Sequence, residues 1–157
     1  MKILFAGEGG RGVQVAAQIL AQAAFREGKK VSYIPNFGVE QRGGFSLAFL
    51  IIDNRPIVYP KFAIADIAAI FSKDSLERVK KHLDKGTKII FGPGVKEKTG
   101  LAPRVWNTAI LGKVNRVGGI VKEASLIEAM DERWQKQFEK NPDLRKLNLE
   151  ALNDEGF

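Results

Sequence analysis

Cysteine is absent from the 157-residue sequence, and histidine occurs once, as His82. Without thiols the chain has no disulfide, no thiolate ligand for an iron–sulfur cluster and no cysteine nucleophile. A lone histidine argues against a zinc site and against a Ser-His-Asp triad. No run of 18 apolar residues occurs, so no membrane-spanning helix is expected. Met1-Lys2 leads directly into the first apolar run, so no secretory signal segment is expected and the cytoplasm is the expected location. Internal repeats and low-complexity segments are also missing.

What is present suits one folded domain over residues 1–157, with 45% hydrophobic and 27% charged residues. The net charge of +7 is uneven. Residues 1–121 hold 19 basic and 9 acidic side chains, and residues 122–157 hold 6 and 9. A basic body suits an acidic partner or a polyphosphate ligand. The basic residues neither cluster in a block nor alternate with aromatics, which disfavours a nucleic-acid module.

Strands are expected at 2–6, 30–34, 45–52, 66–71 and 87–91, and helices at 12–26, 107–116 and 123–140. Another helix is expected from Ser72 to a basic last turn and C-cap at Lys85-Gly86. Pro35-Asn36 is expected to break the second strand, Ile57-Val58 to return as a hairpin partner of 45–52, and Pro142 to stop the last helix before a short tail. Strands alternating with helices predict an α/β fold: a three-layer domain with a largely parallel, Rossmann-like sheet plus a β-hairpin.

Gly7, Gly9 and Gly12 fit G-x-G-x-x-G between a strand and a helix, with Gly10 extra and Arg11 adding charge. Such a turn either admits a phosphate to backbone N–H groups or packs helix against strand. A nicotinamide ribose also needs an acid near the end of the second strand, and Tyr33-Ile34-Pro35-Asn36 offers none. The lysine–threonine pair of a P-loop is missing too. The helix after the turn has small apolar faces and one polar stripe of Gln14, Gln18, Gln22 and Arg26. It is either a central core helix or one flanked by a partner chain.

A second turn, NFGVEQRGGFS at 36–46, sets Glu40 and Arg42 between glycines. Arg42 suits an anionic group and Glu40 suits orienting it. His82 and the lysines at 96 and 98 read as solvated, Met130 and Trp134 as core or interface, and Asp66 and Asn107 as caps.

The combination of G-x-G-G-x-G-V at 7–13, G-x-E-x-R-G-G-x-S at 38–46 and P-I-x-x-P at 56–60 resembles the gamma subunit of the 2-oxoacid:ferredoxin oxidoreductases. The similarity continues through Asp66, Asn107, Leu111-Gly112 and the closing NLEALNDEG. Arg11 departs from the glutamine common in that family. The resemblance implies a three-layer α/β accessory subunit with no catalytic residue of its own. It serves a complex that oxidatively decarboxylates a 2-oxoacid, reduces ferredoxin and forms acyl-coenzyme A. Thiamine diphosphate, magnesium and the iron–sulfur clusters then belong to partner subunits of alpha, beta and delta type, while coenzyme A is contacted here. Two residue groups are the candidates for that contact: Gly7, Gly9, Gly10, Arg11 and Gly12; and Glu40, Arg42, Gly43, Gly44 and Ser46. The rival reading is a free-standing Rossmann-type nucleotide-binding oxidoreductase.

Overall fold

The computed structural model describes residues 1–37, 44–94 and 99–156. Strand β1 (Lys2–Glu8) has five consecutive buried residues. A strand apolar on both faces belongs inside a sheet, and β1 is central in the order β2-β3-β1-β4-β5. The other strands are β2 (Lys30–Phe37), β3 (Phe45–Asp53), β4 (Ile67–Ile70) and β5 (Lys88–Phe91). Strand β4 runs parallel to β1 and to β5, whereas β3 runs antiparallel to both β1 and β2. Four strands therefore share one direction and β3 opposes them.

The expected hairpin exists with a different partner. Strand β3 folds back on β2, from Lys30↔Asp53 to Phe37↔Ser46, and residues 57–58 lie outside any strand. Asp53 accepts the Arg55 N–H at 2.9 Å and turns the chain off the sheet. Pro35 does not break β2 but pairs with Ala48, a position an edge strand tolerates.

Alternation along β1 builds a core on each face. Ile3 and Phe5 pack with α1 (Val13–Arg26), α3 (Trp106–Gly118), α4 (Glu123–Lys140) and α5 (Pro142–Leu152). Leu4 and Ala6 pack with Phe62 and with Val79 of α2 (Lys73–Val79). Helices, sheet and a thinner cover of α2 with residues 57–65 make three layers. Helix α1 is a central core helix: its small residues lie in the main core, and α4 crosses it, with Gln22 donating to Glu132 at 3.0 Å. Just past α1, Glu27 accepts the Lys122 N–H at 2.6 Å and so caps α4 from outside. Burial opposes ionisation of Glu27, but hydrogen bonds from Lys122, Ser125 and Lys29 and the Lys29 charge prevail and hold its carboxyl below the usual value.

Three local expectations are corrected. Pro142 stops α4 by opening α5 as its first residue, with Asn141 accepting the Leu144 N–H at 3.2 Å. Helix α2 ends at Val79, continues as one 3-10 turn over Lys80–His82, and gives way to a turn in which Asp84 accepts from Gly86 N–H at 2.8 Å. His82 is not simply solvated: its Nδ1 lies 2.8 Å from the Ala63 carbonyl oxygen and its ring meets Phe49 edge-on at 5.1 Å. Met130 is fully buried and Trp134 stacks edge-on with Phe138 at 5.8 Å, as core residues. The lysines at 96 and 98 lie outside the described residues.

Candidate functional site

Strand β1 runs out at Glu8, and the next four residues turn the chain into α1. Gly12 has φ +80 and caps the helix without a side-chain hydrogen bond. A Cβ there would lie 2.8 Å from Asn107 Cβ on α3, and one on Gly7 would lie 2.6 Å from Phe71 Cβ. Both glycines are thus required by packing. Asn107 sits inside α3 against Gly12 and does not cap that helix. Gly10 differs: its φ is +89, and nothing lies within 4 Å of its missing Cβ.

The antiparallel register brings the described ends of the second glycine-bearing stretch, Phe37 and Gly44, to the same edge. Gly7 faces Ser46 and Glu8 faces Phe45 across the β1–β3 ladder. Beyond the ladder, the Gly9 N–H donates to the Gly44 carbonyl at 2.7 Å. One donor of the supposed phosphate cradle is therefore spent on joining the two turns. Ser46 is buried and accepts from Gln14 Nε2 at 2.9 Å. Glu40, Arg42 and Gly43 lie outside the described residues.

A cleft of about 480 Å³ opens beside Gly10 and Arg11. It lies at the C-terminal ends of β1, β4 and β5, where the connection after β1 leaves for one sheet face and that after β4 for the other. Open α/β sheets bind ligands at such a switch point. Phe71, Trp106 and Ile110 supply apolar lining, and Glu8, Arg11, Lys73 and Asp74 supply charge. Arg11 Nε donates to Glu8 Oε2 at 2.8 Å. That exposed pair contributes little stability, but it tethers the guanidinium at the cleft and leaves its terminal nitrogens without a partner among the described residues. Ser75 Oγ lies 3.2 Å from the Ala6 carbonyl oxygen, tying the start of α2 to the end of β1.

The residue reading missed Gln14 and Tyr33. Gln14 Oε1 accepts the Tyr33 hydroxyl at 2.6 Å, and the Tyr33 hydroxyl oxygen accepts from Gln18 Nε2 at 3.3 Å. Burial pushes the Tyr33 phenol above its ordinary value, against the Gln18 hydrogen bond and the Arg133 charge. A signal was present: the first three positions of the stripe, Gln14, Gln18 and Gln22, are uncharged, and Gln14 lies where such a side chain can turn inward to a polar partner. Among the described residues no cluster of His, Cys, Asp and Glu suits a metal ion, and no helix is long and apolar enough to cross a membrane.

Residues 2–99 match the family model described as "Pyruvate ferredoxin/flavodoxin oxidoreductase". The chain is 35% identical to a protein of Thermococcus kodakarensis named as the common gamma subunit of pyruvate and ketoisovalerate oxidoreductases, covering 85% of this chain and 86% of that one. It shares a fold with the crystal structure of a keto/oxoacid ferredoxin oxidoreductase gamma subunit from Geobacter sulfurreducens, with a TM-score of 0.71 at 22% identity over 96% and 93% of the two chains. It shares one also with part of a 2-oxoglutarate:ferredoxin oxidoreductase from Magnetococcus marinus, solved with 2-oxoglutarate, coenzyme A and succinyl-CoA bound. That TM-score is 0.82 at 21% identity, over 98% of this chain and 30% of that one. The family match over most of the sequence and the near full-length likeness to a named relative agree, and this chain belongs to the pyruvate ferredoxin/flavodoxin oxidoreductase family.

Proposed function

We propose that this chain, as one domain over residues 1–157, is the gamma subunit of a 2-oxoacid:ferredoxin oxidoreductase. The complex decarboxylates a 2-oxoacid, reduces ferredoxin and releases acyl-coenzyme A. Its thiamine diphosphate, magnesium and iron–sulfur clusters sit in alpha-, beta- and delta-type partners. This chain meets ferredoxin only through them, binds neither nucleic acid nor membrane, and works in the cytoplasm. It supports assembly and contacts coenzyme A.

The observation that carries the reading is the meeting of the two glycine turns, Gly9 N–H to Gly44 C=O at 2.7 Å, beside the switch-point cleft. Coenzyme A pairs an apolar arm with phosphates. The cleft offers Phe71, Trp106 and Ile110 to the one, and Arg11 and Lys73 to the other. The turn bearing Glu40, Arg42, Gly43, Gly44 and Ser46 completes the contact, with Arg42 as its cation. Gly10 and Arg11 are the ligand-facing members of the first turn, whereas Gly7, Gly9 and Gly12 shape it. The rival nicotinamide enzyme is disfavoured because β2 ends in Pro35-Asn36-Phe37, without the acid a ribose needs.

Two measurements test the reading. The chain purified from its native host should bring thiamine-dependent and iron–sulfur subunits with it. In the assembled enzyme Arg42→Ala should raise KM for coenzyme A about tenfold, the loss of one charge-assisted hydrogen bond, without dissociating the complex. A chain that purifies alone, or unchanged kinetics in the variant, would refute it.

A further inference from the structure

Residues 56–60, Pro-Ile-Val-Tyr-Pro, carry part of the family resemblance and take no part in the switch-point cleft. Four of the five are exposed, and only Ile57 turns inward, half-buried against the second core. Val58 is 84% exposed and Tyr59 79%. A folded chain rarely leaves consecutive apolar residues in water unless they have a use there. The stretch is also tied down. Asp53 accepts the Arg55 N–H just before it. Ser32 Oγ on β2 donates to the Pro60 carbonyl at 3.1 Å. After it, Phe62 is buried and meets Phe49 edge-on at 5.2 Å, and Ala65 N–H donates to the His82 carbonyl at 2.9 Å. Two prolines fix their own φ as well. Val58 and Tyr59 are thus displayed from a fixed frame, and a partner would lose little entropy in ordering them.

The flanking charges select the occupant. Arg55 and Lys61 bracket the stretch. Asp53 lies 3.8 Å from Arg55, a long exposed pair of little worth. Lys61 sits over the Phe49 ring at 5.3 Å, with no carboxylate partner among the described residues. Two copies meeting here about a two-fold axis would set these cations against their counterparts, on chains that each carry +7. A different chain with carboxylates around an apolar pocket meets no such repulsion.

We infer that residues 56–60 dock this chain onto another subunit of its complex, Val58 and Tyr59 entering an apolar pocket whose rim carboxylates meet Arg55 and Lys61. The inference rests on the reading of the chain as a subunit of a 2-oxoacid:ferredoxin oxidoreductase.

The test expresses the tagged full chain and three variants in the native host and follows how well each retains the thiamine-dependent and iron–sulfur subunits on dilution. Tyr59→Ser should weaken retention about thirtyfold, the loss of a buried aromatic anchor. Lys61→Glu should weaken it about three- to tenfold, with the effect fading as salt is added. Phe25→Ser, at a residue 71% exposed on α1 across the sheet, should leave it unchanged. All three positions are exposed, so the isolated variants should unfold within a few degrees of wild type. A photoreactive phenylalanine analogue in place of Tyr59 should cross-link to one of those subunits. If wild type retains them and Tyr59→Ser does so equally, or loses no more than Phe25→Ser, the inference fails while the subunit reading stands. If wild type retains none, the subunit reading falls and takes the inference with it. A cross-link between two copies of this chain would make the occupant a second copy and overturn the inference.

Discussion

Gly10 and Gly12 share a left-handed backbone and differ in surroundings, so substituting each by alanine separates two costs. The left-handed conformation costs an alanine about 1–2 kcal/mol, and both positions incur it, with φ +89 and +80. At Gly10 the new methyl meets open space, and the cost stops there. At Gly12 it lies 2.7 Å from Asn107 Nδ2 and 2.8 Å from Asn107 Cβ. Carbon atoms rest about 3.5–4.0 Å apart, so α3 must retreat by roughly 1 Å or Asn107 must leave its rotamer. Overpacking of that kind costs about 1–3 kcal/mol more. Gly12→Ala should therefore destabilise by about 2–5 kcal/mol, against about 1–2 for Gly10→Ala, by urea unfolding followed by circular dichroism. In a chain of this size each kcal/mol lowers Tm by about 2–4 °C. Asn107→Gly in the Gly12→Ala background should recover the steric part, a coupling of about 1–2 kcal/mol in a double-mutant cycle. Equal costs at the two glycines, or no coupling to Asn107, would refute the claim that Gly12 serves the α1–α3 packing.

A second close approach lies at Gly112, whose Cβ would fall on the Leu152 carbonyl oxygen at 2.0 Å; Gly112→Ala should displace the end of α5 and cost about 2–4 kcal/mol in thermal unfolding, despite alanine's better helix propensity. Glu27→Gln should cost about 0.5 kcal/mol at pH 7, because the amide oxygen can still accept the Lys122 N–H but the negative charge at the α4 N-terminus and beside Lys29 is lost. The Glu27 carboxyl is held below its ordinary 4.5, so its contribution is present above that pH and lost as pH falls through the lowered value. Wild type and variant should therefore converge in acid unfolding curves. Tyr33 behaves oppositely: its phenol is raised above its ordinary 10.0, so its stabilisation is intact below that pH and lost as pH rises through the raised value. Tyr33→Phe should be about 1 kcal/mol less stable at pH 8 and lose that deficit above pH 10.

The α/β class and all five strand cores were legible because β1, β3 and β4 are apolar runs of strand length between turn signals. The edges were less legible. Pro35 looks like a breaker, and only the knowledge that β2 lies at the sheet's edge makes it tolerable there. Pro142 looks like a terminator, since the same residue that ends one helix starts another. Gly86 after Lys85 looks like a C-cap, but the side chain of Asp84 two residues earlier claims that turn first. In the glycine turn the motif does not distinguish a phosphate cradle from close packing. What separates them is Phe71 and Asn107, 64 and 95 residues along from the glycines they abut.

The direction of β3 is the other matter that local pattern leaves open, and the site depends on it. Had β3 paired with residues 57–58 and run parallel to β1, its first residue would lie at the opposite edge of the sheet from the end of β1. Its antiparallel course puts Phe45 beside Glu8 and Gly44 against Gly9. The same edge collects the end of β2 at Phe37, the end of β4 before Ser72 and the end of β5 before Gly92. Gly9 and Gly44, far apart in sequence, thus meet beside the switch-point cleft. A variant that weakens the β1–β3 ladder near its end should therefore separate the turns before it unfolds the domain. Ser46→Pro tests this: it removes the Gln14 acceptor and a ladder N–H at the Gly7 register position. Amide exchange at Gly9 should accelerate at least about tenfold, the opening of one hydrogen bond, while exchange at Leu4 in the centre of β1 stays slow. Equal acceleration at both positions would mean that the turns are held by the whole sheet and not by their local junction.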